Sequence, residues 1–304
     1  LLSMRLPDGS SESDLRDPVT GDLARIWHRD AAGATLARFD MTHDALGRRT
    51  SETLADGTRT AWLYDAAGQL VEESRTGTLA HRTTYAWDLA GNRTERVRDG
   101  VRESATYDDA NRILSAGSRT YVHDAAGNVV RIADGATGAG WNLAWDAESR
   151  LVGVSGAANA AYAHNGIGQR VGRTVGGVAE GLLPLDDAIS SPLVGRGATG
   201  VVRDPRGPIA QIRGGSAAWV RADALGSSRR VGAAVFETDA FGAPLAAGGG
   251  SAFADAWGYQ SDPETGWLRV GHRIYDPVGG RFLGRDPLLS GSNWYAYADN
   301  DPVN

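Results

Sequence analysis

The sequence predicts an all-β protein, built from antiparallel hairpins joined into one long curved sheet. Three observations lead there. An aromatic-Asp-x-x-Gly turn recurs along most of the chain, and Tyr64-Asp65-Ala66-Ala67-Gly68 is its best copy. A second turn signal falls about midway between copies, and the residues between alternate with the period of two expected of half-buried strands. The 41 glycines among 304 residues are too many for a helical bundle and suit a protein made of turns.

Residues 1–24 hold an irregular or incomplete first unit. Trp27-His28-Arg29-Asp30-Ala31-Ala32-Gly33 is the first recognisable turn, followed by His43-Asp44 to Gly47, Tyr64-Asp65 to Gly68 and Trp87-Asp88 to Gly91. Tyr107-Asp108 carries Asn111 in the glycine slot, His123-Asp124 runs to Gly127, Trp145-Asp146 carries Ser149, and His164-Asn165 to Gly168 has Asn for Asp. From Asp44 to Asn165 the steps are 21, 23, 20, 16, 22 and 19 residues, tight enough for a repeat and too loose for a rigid solenoid. Midway signals such as Asp56-Gly57, Asp99-Gly100 and Gly176-Gly177 tolerate the positive φ of two-residue hairpin turns, so each repeat is two short strands. Between 178 and 220 the pattern weakens, but Arg203-Asp204-Pro205-Arg206-Gly207 returns to it, so this stretch reads as a drifted repeat and not a domain boundary.

The repeated aspartates have a mechanical reason to be there. A carboxylate accepts the backbone N–H two residues on, and the following glycine supplies the conformation that turns the chain. Asp44, Gly47, Asp65, Gly68, Asp88, Gly91, Asp124 and Gly127 are therefore read as structural, with the preceding aromatic laid on the sheet.

The rest of the composition excludes more than it suggests. A formal charge of −6 offers no basic stripe for nucleic acid, and the absence of cysteine removes disulfide and thiol chemistry. His28, His43, His81, His123, His164 and His272 are dispersed without metal spacing, so neither a metal nor a cofactor is expected. Gly166-Ile167-Gly168 and Gly248-Gly249-Gly250 lack the strand-then-helix setting of a phosphate loop, and Ser227 has no visible His and Asp partners for a serine hydrolase. No basic-then-apolar signal opens the sequence and no run reaches membrane-spanning length; the start at Leu1 instead of Met reads as that of a fragment.

The turns resemble the YD repeats of the Rhs family, shared with the C component of bacterial Tc toxins. Arg221-Ala222-Asp223-Ala224-Leu225-Gly226-Ser227 is similar to the family's His-x-Asp-x-x-Gly-Ser segment with Arg for His, and Asp239-Ala240-Phe241-Gly242-Ala243-Pro244 to the segment that follows it. Residues 258–304 are most similar, resembling the Rhs-associated core domain through Asp262, Gly266, Arg273, Tyr275, Asp276, Pro277, Gly280, Arg281, Phe282, Pro287, Asn293, Tyr295, Tyr297, Pro302 and Asn304. The resemblance implies a YD-repeat β-shell over 25–257, part of a hollow spiral, and a core domain over 258–304 that is incomplete at its C-terminus.

It also implies a function: a shell that encapsulates and delivers a C-terminal toxin, with a core domain similar to a self-cleaving aspartyl protease. The only chemistry is then on the chain itself, with no external substrate and no cofactor. Asp286, in Asp286-Pro287-Leu288-Leu289, maps onto one catalytic carboxylate, although Leu289 replaces the family's glycine and Gly291 comes two positions late. Aspartyl chemistry requires a pair, one carboxylate ionised and one protonated. The second is expected beyond Asn304, and Asp301 is an internal substitute. The partners implied are the toxin cargo, the remaining shell or a shell partner protein, and a secretion apparatus, with delivery outside a bacterial cell. The alternative is a YD-repeat adhesion or glycan-binding module without enzymatic activity.

Strand count also bears on size. Roughly 24 strands at about 4.8 Å would close into a ring about 37 Å across, with a lumen of about 27 Å. A compact 100-residue cargo, about 34 Å across, would not fit. A segment of a longer spiral is therefore expected.

Overall fold

The computed structural model describes residues 2–188, 190–246 and 252–304; the glycine run at 248–250 lies outside them. Twenty-four strands form one antiparallel sheet in which each strand pairs with its neighbour in sequence. Among the described residues the sheet does not close: Leu2–Arg5 pairs with Ser11–Arg16 alone, and Ala234–Val235 with Ser228–Val231 alone. Residues 178–222 contribute five strands of the wall, from Val178–Pro184 to Ser216–Ala222.

Each Asp-x-x-Gly turn is stapled at both ends. Asp65 N–H donates to Gln69 O at 3.0 Å and Gly68 N–H to Asp65 O at 3.1 Å, while Asp65 Oδ1 accepts from the N–H groups of Ala67 and Gln69 at 2.9 Å each. Asp44, Asp88, Asp108 and Asp146 repeat this pattern, and Asp124 Oδ1 takes the Asn128 N–H at 2.8 Å. The last turn residue is left-handed, at φ +88° for Gly68 and +60° and +58° for the stand-ins Asn111 and Ser149. Such turns carry a bulge. The register accordingly slips just before the aspartate, between Leu63 and Tyr64, Ala86 and Trp87, and Ala144 and Trp145.

The aromatic before the aspartate does more than cover the sheet. Tyr64 Oη donates to Arg49 O at 2.6 Å, Trp87 Nε1 to Leu70 O at 2.8 Å, Tyr107 Oη to Arg93 O at 2.8 Å and Trp145 Nε1 to Val129 O at 2.8 Å. Every acceptor is the residue just after the preceding repeat's turn. Tyr and Trp interchange here because both carry a donor at the far end of a flat apolar body. In two histidine copies the tie is missing: His123 Nε2 and His164 Nδ1 are buried without a partner, and burial pushes both rings down to about 4.

One reading of the turns is corrected. Successive hairpin turns lie at opposite ends of the strands, so Asp30-Ala31-Ala32-Gly33, between Leu23–Arg29 and Thr35–His43, sits in the midway row with Asp56-Gly57. Its own bonds are of the same type, Asp30 Oδ1 accepting from Ala32 and Ala34, but it faces the other edge of the strip.

The strip coils back onto itself. His28 Nε2 lies 3.0 Å from Ala222 O, Arg206 Nη1 2.6 Å from Glu12 Oε1, and Arg230 Nη1 donates to Leu36 O at 3.1 Å, each pair 194 residues apart. The third strand thus meets the twenty-second, and about 19 strands make one turn, roughly 29 Å across at 4.8 Å per strand. A closed ring of 24 strands is not formed, because the returning layer stacks beside the first instead of pairing with it.

Inside the coil lies a second antiparallel sheet, Gln260–Asp262, Trp267–Val270, Arg273–Asp276 and Arg281–Phe282. Leu268, Tyr275 and Phe282 are cross-strand neighbours on one face and pack with Trp62, Leu70 and Tyr85 of the wall. Trp267, Ile274 and Leu283 pack with Ile113, Val129, Ile132 and Leu143 of the opposite wall. Both faces of the small sheet are buried. That accounts for adjacent apolar residues such as Trp267-Leu268 and Ile274-Tyr275 facing opposite sides, where the wall strands alternate.

Candidate functional site at the seam between core and wall

The core is tied to the wall by a buried charge. Arg170 Nη1 meets both oxygens of Asp262, at 2.8 and 2.7 Å, with both side chains almost fully buried, and Arg170 lies over the Tyr162 ring at 4.0 Å. Arg173 adds an ion pair with Glu264 at 3.0 Å. Gly266 closes the Asp262 turn with an N–H bond to Asp262 O at 2.9 Å, and Gly280 closes the Asp276-Pro277 turn in the same way at 2.8 Å. Tyr275 is fully buried, donates to Phe241 O at 2.8 Å and stacks on Tyr297 at 4.1 Å. Arg281, also buried, donates to Asn111 O at 2.6 Å and lies over Tyr107.

From Tyr295 to Asn304 the tail then runs back along the row of Asp-x-x-Gly turns. Tyr295 Oη donates to Gly127 O at 3.0 Å, and Asn293 Nδ2 to Ala90 O at 3.1 Å and Asn92 Oδ1 at 2.8 Å. Asn300 Nδ2 reaches Gly91 O at 2.9 Å and Gln69 Oε1 at 3.0 Å. Asn304 Oδ1 takes the Arg49 N–H at 2.6 Å, and Pro302 beside it is buried. An asparagine carries both donor and acceptor on a short stem, which suits it to turn backbones whose groups point outward. These asparagines attach the tail to three successive repeats.

Asp286 keeps part of the repeat pattern: its Oδ1 accepts the Leu288 N–H at 2.8 Å and its carbonyl the Leu289 N–H at 3.0 Å, with Leu289 at φ +51° in the glycine slot. Its own N–H, however, donates to Trp294 O at 2.9 Å instead of closing the turn on the residue four on. Its Oδ2 lies 3.2 Å from Arg273 Nη1, and Arg273 stacks over Phe282 at 3.6 Å. Burial lowers Arg273 below the usual guanidinium range, and the Asp286 charge acts the other way. Asp286 and Arg273 line an open cleft of about 750 Å³ together with Tyr259, Asn293, Tyr297, Asp299 and Asn300. Pro287 lies in the Asp286 turn.

The structure does not bring Asp301 to Asp286. Asp301 Oδ1 accepts from Asn304 Nδ2 at 2.7 Å, and burial raises it above the usual aspartate range against the opposing effects of Asn304, Arg48 and Arg49. The acidic residue of this tail that lines the Asp286 cleft is Asp299, the middle member of three consecutive left-handed residues, Ala298, Asp299 and Asn300.

Arg170 escaped sequence reasoning because its slot is not uniform. The position five after the turn aspartate is Leu70, Ile113, Val129 and Leu151 in four repeats, all buried, and Arg49, Arg93 and Arg170 in three others. Arg170 is the most deeply buried of these arginines, and it meets a buried carboxylate.

The RHS Repeat family matches residues 43–80 and 64–103, which hold the Asp44, Asp65 and Asp88 turns. These units are RHS repeats. The chain is 28% identical to the double-stranded DNA deaminase toxin A of Burkholderia cenocepacia, over 92% of its own length and 22% of that protein's. It is 27% identical to the toxin protein Tse5 of Pseudomonas aeruginosa, over 93% of its own length and 27% of that protein's. It thus spans about a quarter or less of the relatives it matches. Its fold is shared with a chain of the Photorhabdus luminescens Tc holotoxin pore, with a TM-score of 0.78 at 16% identity, covering 99% of this chain and 18% of that one.

Proposed function

We propose that this chain is the closing segment of a toxin-carrier shell, in which the coiled wall encloses space and the inward-folded core closes it. The observation that carries this reading is the small sheet buried on both faces between opposite walls: a strip whose sole task was surface adhesion has no use for an inner sheet that spans its lumen. The relatives named above are toxins, which supports a carrier role, and delivery outside a bacterial cell, with a C-terminal cargo and further shell as partners, belongs to the same reading.

Self-cleavage is the chemistry proposed for Asp286. Its Oδ2 lies 3.2 Å from Arg273 Nη1 at the wall of the open cleft, where a peptide segment has room to enter. A protonated carboxyl must approach it across the cleft, supplied by a segment other than Asp301. The test is expression of the full reading frame that encodes this chain, with gel analysis of Asp286→Asn beside the parent. The expected result is two fragments for the parent and one uncut band for the variant; continued cutting would remove Asp286 from the mechanism.

A further inference from the structure

The returning layer docks on the first through a buried polar cluster that none of the preceding roles uses. Arg229, from the strand Ser228–Val231, is held by Glu52 Oε1 at 3.0 Å, Asp223 Oδ2 at 3.2 Å and Glu237 Oε2 at 2.6 Å, and Glu237 also takes Arg75 Nη2 at 2.9 Å. Glu73 Oε2 accepts the Ala240 N–H at 2.6 Å, while its Oε1 lies 2.6 Å from His81 Nε2. Asp239 Oδ1 accepts from Phe241 and Ala243 N–H, and its Oδ2 is 3.9 Å from Arg98. A cavity of about 50 Å³ lies among these groups, walled also by Arg49 and Phe253.

The cluster joins two parts of the chain far apart in sequence. Glu52, Glu73, Arg75 and His81 belong to the wall; Asp223, Arg229, Glu237 and Asp239 belong to the returning layer. Five carboxyl groups, Glu52, Glu73, Asp223, Glu237 and Asp239, meet four guanidiniums, Arg49, Arg75, Arg98 and Arg229, with His81 against Glu73. Facing Asp239 from the other packed elements are Arg96, itself paired with Glu103 at 2.7 Å, and the phenols of Tyr85 and Tyr275. With the Arg96–Glu103 pair neutral and His81 uncharged, the cluster carries one negative charge in excess. Glu73 and Asp239, both almost fully buried, are its adjoining members.

We propose that this cluster is a proton-linked clasp, which holds one more proton when the returning layer is docked than when it is lifted, so that mild acid secures the coil and a rise toward neutrality loosens it. The titration of its members agrees in sign. Burial and the charge of Glu73 push Asp239 up to about 6, and burial raises Glu52. For His81, burial pulls down, but the bonds to Glu73 and Leu79 O outweigh it and leave the ring raised. A group held above its ordinary value stabilises the docked form fully below that ordinary value and loses the contribution as pH rises through the raised one. For Asp239 that window runs from 3.8 to about 6.

Hydrogen–deuterium exchange of residues 228–243 in the intact chain, corrected for intrinsic rates, tests this at pH 5 and pH 7.5. Protection is expected to be about tenfold greater at pH 5, the ratio that a single carboxyl raised by about two units supplies. Asp239→Asn removes the titrating group and keeps the turn acceptor, as Asn165 does in its own turn with bonds to Ile167 and Gln169 N–H. This variant should lose most of the pH dependence, leaving the share of His81 and Glu52, and Glu73→Gln should show a reduced change. Equal protection at both pH values in the parent, or an undiminished change in both variants, overturns the proposal.

Discussion

Gly127 and Gly100, on the two edges of the strip, are glycine for different reasons. In the Asp-x-x-Gly row, Gly127 must be left-handed and must also leave room for the core: a Cβ there, at φ +88°, would sit 2.5 Å from Tyr295 Oη. In the midway row, Gly100 has almost the same backbone, φ +84°, and a Cβ there would meet no atom within 4 Å. Gly127 lies at a seam and Gly100 at a plain hairpin end. Repetition in the sequence therefore reports local turn chemistry, whereas what each turn supports depends on what lies against it.

The comparison can be broken in several ways, and the largest effect belongs to the charge that anchors the seam. Arg170→Met leaves Asp262 buried without its partner and is expected to cost about 3–5 kcal/mol in urea unfolding. A loss below about 1 kcal/mol would mean that Asp262 is satisfied by Arg173 alone. Next, Gly127→Ala combines a strained φ with a collision and should cost about 3 kcal/mol, against about 1 kcal/mol for Gly100→Ala. Equal costs would erase the distinction between the two glycines.

Smaller effects sharpen the picture of each repeat. Tyr64→Phe keeps the packing and loses the bond to Arg49 O, for an expected loss of about 1 kcal/mol in thermal unfolding. No loss would reduce the inter-repeat tie to a packing contact. Finally, Leu289→Gly should raise stability by about 0.5–1 kcal/mol, since Leu289 is half exposed and held at φ +51°. A loss instead would show that the Leu289 side chain supports the Asp286 turn.

Much of the wall was legible before any coordinates, because its bonds are short-range. Asp65 reaches only to Ala67 and Gln69, so a pattern of five residues contains the whole interaction. The glycine slot was readable even where Asn111 and Ser149 fill it. Asp30 misled because the same five-residue pattern forms at either end of a hairpin; only the count of strands assigns the edge. The donor on Tyr64 and Trp87 was in plain view, but its acceptor lies 15 to 17 residues back and shares no residue type from one repeat to the next.

The candidate site divides along the same line. Asp286 could be named from its motif, and its Asx turn follows from local sequence. Its ion pair with Arg273, and the turning of Asp301 toward Asn304, depend on how the tail is laid over the wall. The sequence by itself determined an all-β strip of stapled hairpins, since that is written in hydrogen bonds within a few residues, while the stretch that forms the core was marked by its resemblance to the Rhs-associated core domain. Only the tertiary structure decided that about 19 strands make a turn, that Arg170 meets Asp262 across 92 residues, and that Glu73 meets Ala240 across 167. Those contacts join segments with no common pattern, and the free energy that selects them comes from burying charge and both faces of a sheet at once, which no local window contains.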